Sequence, residues 1–169
     1  MEEFQQYEFT LANKSEMQRL SELASEIWPI TFSKILSTAQ IDYMLNWMYA
    51  PEKLINQLDE GHTFFFLRNK NVEIGFCGLE ENYPESGLMR IHKIYLKPEF
   101  HGMGLGKFIL EKIEELARSK NLKGLHLNVN RFNNAVQFYE KAGFETIKTE
   151  DIDIGNGFLM EDFVMQKIF

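Results

Sequence analysis

The stretch YLKPEFHGMGLGKFIL, Tyr95 to Leu110, constrains this chain more than any other. It places glycines at 102, 104 and 106 between Pro98 and an apolar run. A glycine inside a helix loses about 1 kcal/mol against alanine, so alternate glycines mark a turn where bare backbone is wanted. The apolar strand pattern before it and the helical pattern after it make a strand, turn and helix. At such a junction the first amides of the helix have no intrahelical partner and face outward toward an anion. A nucleoside-triphosphate loop, GxxxxGK[ST], does not fit: three residues separate Gly102 from Gly106, and Phe108 stands where a hydroxyl should hold magnesium. A dinucleotide fingerprint, GxGxxG, fails because the third glycine is misplaced. Three readings remain: a phosphate cradle of main-chain amides, tight packing onto a strand, or a chance glycine cluster in a flexible loop. Lys107, in the first helical turn, opposes the helix dipole unless something negative lies nearby.

The elements around this turn are legible from their periods. Asn13 caps a first helix with Glu16 in the box position, and Met17, Leu20, Leu23, Ala24 and Ile27 fall on one face. Pro29 is expected to interrupt that helix. A second helix, STAQIDYMLNWMY, is capped by Ser37, and Pro51 opens a third, PEKLINQLDEG, closed at Gly61. The period then changes: HTFFFLRNKNVEIGFCGLEE holds two strand-length runs about an NKN turn, and GLMRIHKIYLKP supplies another strand. After the glycine turn come a helix over about Gly104 to Ser119, the strand GLHLNV, the short helix NNAVQFYEKAGF and a closing hairpin around GNG. The fold class is mixed α/β, and leading helices followed by a strand meander argue against a dinucleotide fold.

At 169 residues, with 44% hydrophobic residues and 15 phenylalanines, the chain is expected to form a single globular domain over 1–169. Its net charge of −7 argues against nucleic acid and is compatible with a cationic substrate. Cys77, the single cysteine, lies in an apolar run and reads as an inert buried thiol. The four histidines show no metal-ligand spacing, so no metal is expected. No long uncharged apolar run or signal-like start occurs, which makes a cytoplasmic location, away from the membrane, the default expectation.

The segment IYLKPEFHGMGLGKFILEKIEELA resembles the acetyl-coenzyme A segment of the Gcn5-related N-acetyltransferase (GNAT) superfamily, whose core pattern is [QR]xxGx[GA]. LHLNVNRFNNAVQFYEKAGFE resembles that family's next segment, in family order and spacing. The resemblance implies a mostly antiparallel central sheet with splayed fourth and fifth strands and flanking helices. Acetyl-coenzyme A would enter at the splay. The backbone at Ile94, Tyr95 and Leu96 would hold the pantetheine arm, and its amides would serve the developing oxyanion. The amides of Gly102, Met103, Gly104, Leu105, Gly106 and Lys107 would bind the pyrophosphate. His101, which stands where the family has Gln or Arg, would complete this cofactor-binding set. Asn133 matches the family asparagine that reaches the cofactor arm, and also reads as a helix cap, with Asn134 as its rival. Tyr139 matches the tyrosine near the thioester sulfur. A phenol with a reference pKa near 10 arrives protonated and can donate to the leaving thiolate; its bland reading is a core tyrosine beside Phe138.

The acceptor is the less readable half. A primary amine must be neutral to attack, and His92, Glu80 and Glu81 are candidate bases whose bland readings are strand packing and solvated turns. His62, beside Gly61, reads as local. Tyr43, Met44, Trp47 and Met48 repeat at helical spacing and form either a pocket wall or a core stripe; Trp28 and Phe32 pose the same choice. The resemblance leans toward bacterial diamine and polyamine acetyltransferases, with a small-molecule amine as substrate. Peptide amino termini and lysine side chains stay open as acceptors, as does a non-catalytic acyl-coenzyme A-binding module or a Phe-rich interaction protein. Short family members associate, so a homodimer is a candidate assembly.

Overall fold

A computed structural model describes residues 4–169. Its strands are β1 Tyr7–Leu11, β2 Thr63–Asn69, β3 Val72–Glu81, β4 Leu88–Leu96, β5 Gly124–Asn130, β6 Glu145–Gly155 and β7 Phe158–Ile168. Its helices are α1 Met17–Phe32, α2 Thr38–Tyr49, α3 Pro51–Asp59, α4 Leu105–Ser119 and α5 Ala135–Lys141. The hydrogen-bonded strand order is β1-β2-β3-β4-β5-β7-β6, antiparallel except for β4 with β5 in the pairings described below. This is the mixed α/β class expected. Contacts divide the chain into two compact units, Met1–Glu80 with Lys93–Lys112, and Glu81–His92 with Ile113–Phe169.

In the first unit Asn13 forms the expected capping box: Oδ1 accepts from Ser15 N at 3.0 Å, and Glu16 Oε1 accepts from Asn13 N at 3.2 Å. The five apolar positions of α1 predicted to share a face are all fully buried. The helix does not stop at Pro29; it runs on to Phe32. Ser25 and Pro29 are both exposed, so the Ser25 carbonyl that proline deprives of its partner faces water. Trp28 and Phe32, buried with ring centroids 4.5 Å apart, hold the last turn in place. Ser37 Oγ caps α2 by accepting from Gln40 N at 3.1 Å. Pro51 opens α3, and Gly61, at φ 101°, follows its end.

The first unit also contains an element absent from the sequence expectation. Strand β1 pairs antiparallel to β2 from Tyr7↔Asn69 to Leu11↔Phe65, with Phe9 stacked on Phe65 at 4.7 Å. It lies at the edge, and only Tyr7 within it is buried, so its sequence lacks the alternation of a half-buried strand. Strands β2 and β3 turn through Lys70 and Asn71, both at positive φ, as the NKN signal implied. Phe64, Phe66 and Phe76 are buried on one face of the sheet and Cys77 on the other, its thiol pushed up by burial and kept protonated.

In the second unit β4 and β5 run parallel from Leu88↔Gly124 to Ile91↔Leu127. The ladder closes there, although β4 continues to Leu96 and β5 to Asn130. Strand β5 pairs on its other side with β7, which returns from β6 through Gly155, Asn156 and Gly157, all at positive φ. Leu125, Leu127, Ile113 and Ala117 are buried among the core residues of this unit.

Candidate active site

The glycine turn belongs to the first unit. At the end of β4 the Tyr95 carbonyl approaches Gly75 so closely that a Cβ there would stand 2.7 Å from it, and Lys97 N donates to Ile74 O at 2.8 Å. Ile94, Tyr95 and Leu96 are half-buried. After a 3₁₀ turn over Pro98–Phe100, His101 Nε2 donates back to the Leu96 carbonyl at 3.0 Å. The histidine that stands in place of Gln or Arg therefore ties the turn to the strand end. Gly102 and Gly104 have φ of 75° and 78°, a region that L side chains rarely enter. A Cβ on Gly102 would meet nothing within 4 Å, so its backbone angle, rather than crowding, requires the glycine.

Helix α4 starts at Leu105, whose buried side chain anchors it, and Phe108 N donates to Gly104 O at 3.0 Å. The amides of Leu105, Gly106 and Lys107 precede that bond and lack carbonyls one turn back within the helix. Met103 is exposed beside them. The Lys107 side chain, 77% exposed, pairs with Glu111 at 3.7 Å, which offsets its placement against the dipole without any ligand.

The second motif belongs to the second unit. Asn133 Oδ1 accepts from Ala135 N at 2.9 Å and so caps α5, whereas Asn134 makes no side-chain cap bond. The Asn133 Nδ2 group has no hydrogen bond among the described residues and retains its donors. Asn130 Oδ1 accepts from Phe132 N at 2.9 Å and serves the turn. Tyr139 is 6% exposed, edge-on to Phe138 at 5.2 Å and to Phe144 at 5.6 Å. Its core contacts and its candidate acid role fall on different parts of the residue, ring and hydroxyl.

A sequence profile of the Acetyltransferase (GNAT) family matches residues 17–144, which include both motifs. The chain belongs to the GNAT acetyltransferase family. GNAT membership makes it an acetyl-CoA-dependent N-acetyltransferase. It is similar to the spermidine N(1)-acetyltransferase of Thermoplasma acidophilum, 32% identical over 152 residues, covering 86% of this chain and 90% of that protein. It is also similar to the [ribosomal protein bS18]-alanine N-acetyltransferase of Haemophilus influenzae, 27% identical, covering 74% and 82% of the two chains. Among solved structures, the PaiA N-acetyltransferase of Thermoplasma acidophilum in complex with coenzyme A superposes with a TM-score of 0.80 at 28% identity, covering 96% and 99% of the chains.

On the acceptor side of this GNAT chain, the α2 stripe divides. Met44 is core, while Tyr43 and Trp47 stack at 6.4 Å with Trp47 44% exposed. Trp28 and Phe32 are core residues, clustered with Tyr49 and Tyr95. Tyr95 thus spends its ring on the core while its backbone forms the strand end. Glu80 is not a solvated turn: its carboxylate meets His62 Nε2 at 3.3 Å, so His62 too has a carboxylate partner. Burial lowers the His62 pKa, with Glu80 opposing and Lys93 assisting. Glu81, by contrast, pairs on the surface with Lys120 at 2.5 Å. His92 is half-buried, its ring 5.6 Å from Tyr83.

Sequence reasoning missed Lys93. It is 6% exposed, its Nζ donates to Gln57 Oε1 at 2.9 Å, and it lies 5.4 Å from the Tyr49 ring and 5.7 Å from Phe64. No carboxylate pairs with it among the described residues, and burial brings its pKa down to about 8. The signal was alternation: Lys93 follows Met89 and Ile91 on the buried face of β4.

Proposed function

We propose that this acetyltransferase passes acetyl directly from acetyl-coenzyme A to a small primary amine of the polyamine class. The observation that carries the donor half is the turn at Gly102 and Gly104, which leaves the amides of Leu105 to Lys107 at the mouth of α4. A diphosphate meets there a row of donors and the positive end of a helix dipole. The backbone of Ile94 to Leu96 holds the pantetheine arm and His101 fixes the turn to the strand; Asn133 is proposed as a further donor to the arm from its match to the family motif alone. Acetyl-coenzyme A supplies the thioester. The neutral amine nitrogen forms the new bond to the acetyl carbon, the carbon–sulfur bond breaks, the amine gives up its proton to water, and the Tyr139 phenol, assigned from its motif match, protonates the departing thiolate and takes a proton back from water. No enzyme-bound acyl group is needed, and Cys77, buried and protonated, is unsuited to carry one.

A polyamine acceptor is supported by the likeness to a spermidine acetyltransferase along nearly the whole of both chains and by the net charge of −7. The likeness to an alanine N-acetyltransferase of ribosomal protein bS18 favours a second reading, a protein amino terminus. Thiol release from acetyl-coenzyme A, measured with spermidine, putrescine, a lysine peptide and an alanine-terminated peptide, separates them. The expected outcome is highest kcat/KM with a polyamine. Preference for the alanine peptide selects the second reading, and cofactor binding without acceptor-dependent thiol release overturns the enzymatic one.

A further inference from the structure

Phe4 precedes β1, far in sequence from the glycine turn, yet belongs with it to the first unit. Its ring stacks on Phe108, centroids 5.3 Å apart and planes at 24°. A Cβ built on Gly104 would stand 3.3 Å from Phe4 Cζ. Tyr7, buried and held in register opposite Asn69, flanks Phe4 at 6.2 Å. Gly104 and Phe108 are the acceptor and donor of the 3.0 Å bond that closes the first turn of α4. One ring thus packs on both residues that define where the helix begins. The Lys112 ammonium, 5.8 Å from the Phe108 ring, lies one turn further along the same helix.

We propose that Phe4 is a positioning residue for the donor: it braces Gly104 against Phe108 and so fixes the amides of Leu105, Gly106 and Lys107 in the orientation a diphosphate requires. The inference rests on reading that turn as the diphosphate cradle. Hydrogen bonds weaken steeply as donors swing off axis, and a turn with glycine at alternate positions has little internal stiffness. His101 ties the start of the turn to Leu96, Gly102 has open space around its missing side chain, and Phe4 supplies the restraint at the Gly104 end. A turn ordered before binding spares the ligand the cost of ordering it, which raises affinity without a new contact. Gly104 is accordingly required for its positive φ, and its missing side chain lets Phe4 approach without giving way.

The test compares Phe4→Ala, Phe4→Leu and Phe4→Tyr in the full chain with two donors, acetyl-coenzyme A and S-acetylpantetheine, which carries the thioester but no diphosphate. Phe4→Ala is expected to raise KM for acetyl-coenzyme A about tenfold with little change in kcat, and to leave kcat/KM for S-acetylpantetheine unaltered. Phe4→Leu is expected to fall between, and Phe4→Tyr to keep the parent's values. An unchanged KM for acetyl-coenzyme A in Phe4→Ala, or an equal loss with both donors, overturns the proposal; the latter is what a purely structural role would give. Failure of the underlying reading looks different: the parent enzyme itself would use both donors with equal kcat/KM.

Discussion

Burial decides the charge of Lys93, and with it a pH dependence of stability. Its folded pKa of about 8 lies below the ordinary lysine value of 10.5, so between those values the unfolded chain binds more protons than the folded one. The penalty is complete below pH 8 and is relieved as pH rises toward 10.5. At about 1.4 kcal/mol per unit it amounts to about 3 kcal/mol. Lys93→Met, measured against the parent by urea unfolding from pH 7 to pH 10.5, should show its largest relative stabilisation at pH 7 and lose most of it by pH 10.5. Parallel curves would mean that Lys93 is not strained by its charge. A second residue-scale prediction concerns chemistry: Tyr139→Phe should retain acetyl-coenzyme A binding and lower kcat about 100-fold. Equal turnover in variant and parent would remove the phenol from the reaction. These two residues differ in how they were legible. Tyr139 stood out only through the motif around it, because a lone tyrosine beside a phenylalanine reads equally well as core. Lys93 stood in a plain period-2 pattern, but its charge made the buried face seem closed to it.

At the scale of elements, β5 is held by polar as well as apolar contacts. Arg90 on β4 lies opposite His126, and its Nη1 donates to His126 Nδ1 at 2.7 Å and to Asn128 Oδ1 at 2.8 Å. Asn128 Nδ2 in turn donates to Glu150 on β6 and Asp162 on β7, both at 3.3 Å. Because a guanidinium only donates, Nδ1 is the bare nitrogen and the imidazole is neutral. Burial and the neighbouring Arg90 bring its pKa down to about 4, with Glu150 opposing. As pH falls from 6.5 to 4 the unfolded chain takes up a proton that the folded chain refuses, so stability declines through that window. The raised pKa of Asp162, caused first by its burial, acts with the opposite sign in acid, so the contribution of His126 is isolated by comparison. His126→Gln, which keeps an acceptor for Arg90, should reduce the slope of stability against pH by up to about one proton between pH 4 and 6.5. An unchanged slope would place the acid sensitivity elsewhere. Elements were legible where local chemistry writes their ends: the Asn13 box, Pro51, Gly61 and the NKN and GNG turns. Strand β1 was not, since it is defined by its ladder to β2, and the end of α1 was misjudged because the exposure of Ser25 and the burial of Trp28 and Phe32 together make Pro29 tolerable.

The molecule as a whole carries −7 while its proposed substrates carry opposite charges, an anionic donor and a cationic acceptor. On the proposed reading the donor is met locally, by main-chain amides and a helix end, which are neutral groups acting at contact range. Nothing comparable to those short-range contacts is required to draw in a polyamine, because a net negative surface raises the local concentration of a polycation. On the proposed reading composition speaks to the acceptor and the glycine turn to the donor, which is why a motif offered candidate donor residues and none offered the acceptor's. The two should part company in salt. Exposed charges lose sight of one another beyond about 10 Å at about 0.1 M ionic strength. Raising salt from about 0.02 M to about 0.3 M should therefore lower kcat/KM for spermidine several-fold, and should leave KM for acetyl-coenzyme A constant or lower it by screening the repulsion between donor and protein. A singly charged amine of similar size, assayed alongside, should lose much less than spermidine. If both amines respond alike, or if acetyl-coenzyme A weakens in step with spermidine, the net charge does not steer the acceptor and the polyamine reading loses its electrostatic support.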